Sequence, residues 1–255
     1  MKKIVILFLL LAGSNLVRAQ TAPPVAEADP IAILLLDRMS SVIGEMNACY
    51  FKMSTAYDVP DNSFFAPVPG IGLVKHFDEH EVYMTGPDKM LINSNGDKGH
   101  RGFWYSGNLF AFYSYKENNY SYIETPGTII DAIHTLHADY DLEFPAADFF
   151  YPTFVDDLME NSTHIAYLGT SSVNGVQCFH IAAKGKDKST QFWISDDART
   201  LPVKFVVHYL DHPERPQYEA TFSEWDINPD IPVTFFEFIP PPTARQIRFF
   251  PKNQN

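Results

Sequence analysis

The spacing of apolar residues changes several times along the chain, and each change marks a predicted element. Residues 30–47 repeat apolar side chains at helical spacing behind Asp29-Pro30, a pair that suits the start of a helix. From residue 50 the pattern becomes a rough alternation of aromatic and β-branched residues, which indicates strands. The predicted strands of this first half are residues 50–57, 72–84, 89–93, 103–105, 109–115 and 120–124.

Helical spacing returns at residues 128–140, after Pro126-Gly127, and a short helical piece is predicted at 145–151. A third helix is predicted from Thr153, with Asp156 in the position of a capping box. Because strands follow strands without βαβ alternation, the order predicts an antiparallel α+β fold. The remaining predicted strands are residues 165–171, 176–183, 190–194, 202–209 and 217–225.

The first nineteen residues have the layout of a secretory signal peptide. Lys2 and Lys3 precede an apolar run at residues 4–12, and Val17 and Ala19 suit signal peptidase. We therefore expect cleavage near Ala19. The apolar run is too short to span a bilayer, and no later segment approaches that length, so we expect no transmembrane segment in the mature chain.

A lipid anchor is not expected. Leu11-Ala12-Gly13 resembles the start of a bacterial lipobox, but Ser14 stands where the lipidated cysteine would be. The sequence therefore predicts a protein that is periplasmic or secreted and is not lipid-anchored. We expect a flexible leader at residues 20–28 and a single domain at residues 29–250.

Charge narrows the possible partners. The chain has 19 basic and 31 acidic residues, a net charge of −12, and 45% of its residues are hydrophobic, as in globular domains. Loss of the signal peptide removes Lys2, Lys3 and Arg18 and leaves a charge of −15. So acidic a surface repels phosphates, which argues against nucleic acid as a partner and against docking on anionic lipids.

Catalytic and metal motifs are weak or missing in the sequence. His134 and His137 lie three apart on a predicted helix and need a third ligand to hold zinc. His76, Asp78 and His80 face one side of a predicted strand, where a surface metal site is an alternative to an ordinary polar surface. There is no nucleophile elbow, Walker loop or dinucleotide-binding turn. We therefore predict no catalytic residues, no metal site and no cofactor, and a protein that is not an enzyme.

The two cysteines allow two interpretations. Cys49 and Cys178 are 129 positions apart, and an oxidising compartment would permit a disulfide between them. They are equally consistent with two small buried apolar side chains.

Several short motifs occur in an order found in one known family. In that order they are Asp29-Pro30, 36–40, 126–132, 174–181, 192–194, 201–204, 218–226 and 236–241. Over residues 28–247 the chain resembles the predicted periplasmic family of domain of unknown function 2092. That family is similar in fold to the periplasmic lipoprotein carrier LolA. The resemblance implies an antiparallel half-barrel with helices packed on its concave face, in a fold whose members carry acyl chains.

Aromatic residues suggest where a ligand would bind. The chain has 21 Phe, 13 Tyr and 3 Trp, many of them in the predicted meander at 103–124. They form either an ordinary core or the wall of a cavity between sheet and helices. In the second case the segments 60–70 and 141–152 are candidate lids. The candidate cavity residues are Phe51, Met53, Trp104, Phe110, Phe112, Tyr113, Ile129, Ile133 and Leu136.

Two functions therefore stay open. The first is a non-enzymatic binder or carrier of a hydrophobic small molecule, such as a lipid or acyl chain, or of a lipoprotein, in the cell envelope. The second is a structural or partner-binding protein that uses strand edges or its proline-rich tail to contact other envelope proteins.

Overall fold

The computed structural model describes residues 27–60, 70–125, 127–144 and 146–252. Within these ranges the chain forms one large mixed sheet and three α-helices, α1 (Pro30–Gly44), α2 (Ile129–Tyr140) and α3 (Phe154–Asn161). The strands are β1 (Glu27–Ala28), β2 (Ala48–Pro60), β3 (Leu73–Thr85), β4 (Lys89–Gly96), β5 (Arg101–Ser106), β6 (Leu109–Ser114), β7 (Asn119–Glu124), β8 (Ser162–Val173), β9 (Val176–Gly185), β10 (Lys188–Ser195), β11 (Pro202–Tyr209), β12 (Gln217–Ile227) and β13 (Arg245–Gln246).

Two runs of strands meet at the centre of the sheet. Strands β2 to β7 pair in chain order, as do β8 to β12, and the runs join where β12 pairs with β2. These pairs are antiparallel, as expected for strands without crossover helices. The two-residue strands β1 and β13 pair in parallel with β8 and β7 at the two edges, so the sheet is mixed and, within the described ranges, not closed.

The first helix has the predicted start and an earlier end. The Asp29 carboxylate accepts a hydrogen bond from the backbone N–H of Ile31, which caps the helix. The helix ends at Gly44 rather than at residue 47, and β2 already begins at Ala48. Few residues are therefore left for the turn between them.

The other two helices begin differently from each other. Thr128 and Asp131 form a capping box at the start of α2. The capping box predicted between Thr153 and Asp156 is wrong, because the Thr153 hydroxyl donates to the Asp157 carboxylate instead, at 2.7 Å.

The end of the predicted leader belongs to the sheet. Glu27–Ala28 forms β1, and the following backbone N–H of Asp29 donates to the carbonyl of Ile165. The predicted signal peptide and residues 20–26 lie outside the described residues.

Helices cover one face of the sheet, here called the inner face, and the opposite side is the outer face. The larger core cluster packs α1 and α3 against β2 and β8 to β12, with Leu36, Phe51 and Ile181 at its centre. The smaller core cluster packs α2 against β4 to β7, with Phe110 and Leu136 at its centre. None of the described helices is both long enough and apolar enough to cross a bilayer.

The chain after β12, here called the tail (residues 228–252), passes from one face to the other. On the outer face Phe238 packs against Trp104 and Tyr113, with ring centroids 4.8 and 5.7 Å apart. The tail then adds β13 beside β7. Beyond that edge Phe249 contacts Phe112 on the inner face, at 5.3 Å between ring centroids. The tail therefore covers apolar surface on both faces.

The two cysteines are not joined. Cys49 in β2 and Cys178 in β9 are both free and buried. Of the two interpretations of the cysteines, the structure has two small buried side chains and no disulfide.

Candidate functional site

A cavity of about 490 Å³ lies on the inner face between the two core clusters. Ile92 shows its position, since this side chain lines the cavity and packs against both clusters. The apolar residues of the lining are Ile92, Phe103, Phe112, Leu142, Phe144 and Phe249.

Strand register brings a set of polar side chains, here called the polar band, to the floor of this cavity. Thr55 pairs with Asp78, and Ser94 lies between His80 and Arg101 on neighbouring strands, so all five face the same side. The polar band consists of Thr55, Tyr57, Asp78, His80, Ser94, Arg101 and Tyr218.

Hydrogen bonds link part of the polar band. The Tyr57 hydroxyl donates to Asp78 Oδ2 at 3.1 Å. The Thr55 hydroxyl donates to the backbone carbonyl of Asp78 at 3.3 Å and lies 3.2 Å from His80 Nε2. A Cβ on Gly96 would lie 1.9 Å from Asp78 Oδ1, so the carboxylate takes the place that a side chain would fill.

Other polar atoms of the band are buried without a partner. Among the described residues of the band, Asp78 Oδ1, Ser94 Oγ, Arg101 Nε and the Tyr218 hydroxyl oxygen have no hydrogen-bond partner. Each such group costs about 1–3 kcal/mol in lost hydration. All four side chains line the cavity.

Burial sets the charge of the band. It lowers the pKa of His80 to about 4, so the imidazole is neutral at neutral pH. Burial also raises the pKa of the Tyr57 and Tyr218 hydroxyls, which therefore stay protonated. The remaining charges of the band are the carboxylate of Asp78 and the guanidinium of Arg101.

The roof of the cavity comes from the segment after α2 and from the tail. Phe144 lies edge-on to Phe103 and Phe110, at 6.3 and 6.0 Å between ring centroids. The Lys252 ammonium forms an ion pair with Asp141, which fastens the end of the tail to this segment. Of the two predicted lids, residues 141–144 therefore form part of the roof, whereas residues 61–69 lie outside the described residues.

The predicted cavity residues lie in three places. Phe112 lines the cavity. Phe51 and Met53 are buried in the larger core cluster, and Phe110, Ile129, Ile133 and Leu136 in the smaller one. Trp104 and Tyr113 are on the outer face under Phe238, because register pairs Trp104 with Ala111 and Tyr113 with Tyr120. The structure therefore does not bring these two together with the rest.

Sequence reasoning missed most of the polar band. It did place His76, Asp78 and His80 on one face of a strand, and the register has all three facing inward. The described residues contain no group of three side chains arranged to hold a metal ion. His76 instead pairs with Asp97, at 2.9 Å between Nδ1 and Oδ2.

The chain belongs to the family described as predicted periplasmic protein, domain of unknown function 2092, whose model matches residues 32–250. A comparison with curated proteins gives no match.

Three solved structures are similar to this chain at low sequence identity. The lipoprotein LppX of Mycobacterium tuberculosis is 13% identical, with 81% of this chain and 100% of that chain covered and a TM-score of 0.45. LprF of Mycobacterium bovis is 10% identical, with 81% and 98% covered and a TM-score of 0.47. A LolA superfamily protein of Nitrosomonas europaea is 7% identical, with 81% and 97% covered and a TM-score of 0.34.

Proposed function

We propose that this protein is a non-enzymatic binder or carrier of a hydrophobic ligand in the periplasm. The ligand would lie between the sheet, curved as an antiparallel half-barrel, and the segments that cover its inner face. The observation that carries the proposal is the cavity of about 490 Å³. Its volume falls within the range of about 300–1,000 Å³ that is usual for small-molecule sites.

Apolar side chains supply the affinity in this proposal. Phe103 and Phe112 form the sheet side of the apolar wall, and Leu142, Phe144 and Phe249 complete it, with Phe144 packed on Phe103 and Phe249 on Phe112. Burial of a ligand's hydrocarbon surface against them contributes roughly 25 cal/mol per Å² before ordering costs.

Entry and release require the roof to move. The segment at 141–144 contributes part of the roof, and the ion pair between Asp141 and Lys252 joins it to the tail. Both side chains of this pair are exposed, so the pair is weak, and opening would also break the backbone hydrogen bond from Lys252 to the carbonyl of Asp139. We infer that this segment is the lid of the cavity.

In this proposal, the predicted cavity residues that lie in the two core clusters flank the ligand site and do not line it. Phe51 and Met53 lie on the larger-core side, and Phe110, Ile129, Ile133 and Leu136 on the smaller-core side. The alternative is a structural or partner-binding protein that uses strand edges or its tail. Phe238 and Phe249 of the tail pack on the sheet of the same molecule, and the exposed apolar side chains of Ile239 and Phe250 are what a partner would contact.

The test begins with native mass spectrometry of the mature protein, residues 20–255, together with analysis of an organic extract. A fluorescence titration with phenylnaphthylamine, an apolar probe, then measures uptake. Leu142→Ser removes part of the apolar wall and should weaken probe binding several-fold. Leu168→Ser, at an exposed position in β8 outside the cavity, is the matched control. No co-purifying lipid and no probe uptake would refute the proposal.

A further inference from the structure

The cavity has a polar and an apolar side. Along β4 the inward positions change from Ser94 to Ile92, and along β5 from Arg101 to Phe103. The polar side adjoins Lys98 in the exposed turn after β4, and the apolar side borders the smaller core cluster. A ligand that fills both sides must therefore be amphipathic.

The unpartnered atoms on the polar side include donors and an acceptor. The Ser94 hydroxyl and Arg101 Nε–H can donate, whereas Asp78 Oδ1 can only accept. All three residues line the cavity, so a ligand there would lie beside these atoms. A ligand hydroxyl group both donates and accepts, so neighbouring hydroxyls match this set better than an ester or a hydrocarbon does.

The charge of the lining disfavours an anionic head group. Asp141 of the lining is paired with Lys252, which leaves two cations, Lys98 and Arg101, against the carboxylates of Asp78 and Glu143, so the described lining offers an anion no net positive charge. A phosphate or a free carboxylate would bring further negative charge beside Asp78, which is buried. A neutral head group avoids this repulsion.

We propose that the cavity selects a neutral amphiphile whose head group carries adjacent hydroxyl groups, as in a glycerol or a sugar. The head group contacts Asp78, Ser94 and Arg101, and the hydrocarbon chain lies against Phe103 and Phe112. This inference rests on the proposed function and narrows its ligand class.

Displacement of phenylnaphthylamine from the mature protein tests the inference at neutral pH. Monomyristoylglycerol and tetradecyl glucoside are the neutral competitors, and with chains of equal length they distinguish a glycerol from a sugar head group. Myristate is the anionic competitor with a matched chain. We expect at least one neutral competitor to bind about tenfold or more tightly than myristate, which corresponds to about 1.4 kcal/mol.

Variants separate recognition of the head group from folding. Ser94→Ala should weaken binding of the neutral competitor about three- to tenfold, because it removes a hydrogen bond to the head group. The matched control is Ser121→Ala, at a buried inner-face position outside the cavity lining, and it should leave affinity unchanged. Asp78→Asn should improve myristate binding relative to the neutral competitor, a gain that simple unfolding cannot produce.

The outcomes distinguish this inference from the proposed function. If myristate binds as tightly as the neutral competitors, or if Ser94→Ala has no effect while the probe still binds, the inference on the head group is refuted and the hydrophobic site stands. If neither the probe nor any competitor binds, the proposed function fails as well.

Discussion

Gly96 should be one of the least replaceable residues of the cavity floor. It lies in β4 opposite Asp78 of β3. A Cβ there would lie 1.9 Å from Asp78 Oδ1, 2.3 Å from the backbone carbonyl oxygen of Phe77 and 2.7 Å from Asp78 Cα. Two of these atoms belong to the backbone, so rotation of the Asp78 side chain cannot relieve the clash and β3 itself must shift.

We expect Gly96→Ala to lower the free energy of unfolding by about 1–3 kcal/mol, as in other overpacked sites. Urea denaturation measures this loss, and the midpoint should fall by roughly 1 M. Because β3 carries Asp78 and His80 into the cavity, ligand affinity should fall together with stability.

Gly44→Ala is the control with the same chemical change. No heavy atom lies within 4 Å of a Cβ at Gly44, the last residue of α1. Alanine there should be neutral or should stabilise by up to about 1 kcal/mol. If Gly96→Ala were as stable as Gly44→Ala, the close approach of β3 and β4 and the packing argument built on it would be wrong.

Three other perturbations test the core, a buried titrating group and a helix start. Phe51→Ala should cost about 3–5 kcal/mol in urea denaturation, because the ring is 2% exposed and lies 4.4 Å from Trp225; a loss below 1 kcal/mol would contradict it. The pKa of His80 is near 4 in the folded protein against 6.5 in the unfolded chain, so the unfolded state takes up the proton first. Stability should therefore be full above about pH 6.5 and fall as the pH drops toward 4, and His80→Asn should flatten this profile. Thr128→Ala removes the capping box of α2 and should cost about 0.5–2 kcal/mol, seen as a lower Tm; an unchanged Tm would refute its role.

The long elements could be predicted from the sequence because their periodicity is local. Alternation in 50–57 and 109–115, and helical spacing in 128–140, depend only on which side of an element is buried. The edge strands β1 and β13 could not be found this way, since two residues carry no period. They form because Glu27–Ala28 and Arg245–Gln246 pair with strands far away in the chain.

The packing of the tail could not be predicted from the sequence for a similar reason. Phe238 and Phe249 lie in a proline-rich segment without regular spacing, and they pack on opposite faces of the sheet. Such contacts depend on the path of the chain around an edge, which a hydrophobic pattern does not encode.

For the cavity, the strand register supplies the missing information. Alternation alone puts Phe110 and Phe112 on one face of β6 and Tyr113 on the other. It does not say which residue of β5 lies beside each of them. The observed pairing of Phe103 with Phe112 and of Trp104 with Ala111 is what separates inner from outer aromatic residues.

The polar band shows why apolar content was an incomplete guide to the site. Aromatic side chains on a sheet are stabilising wherever they are covered, so Phe110 or Trp104 needs no ligand to account for it. A buried polar atom without a partner costs stability. Asp78, Ser94 and Arg101 carry such atoms at inward positions, and all three line one cavity. In the proposed function a bound molecule supplies these partners and offsets the cost, so we expect binding at these residues more than at the aromatic wall.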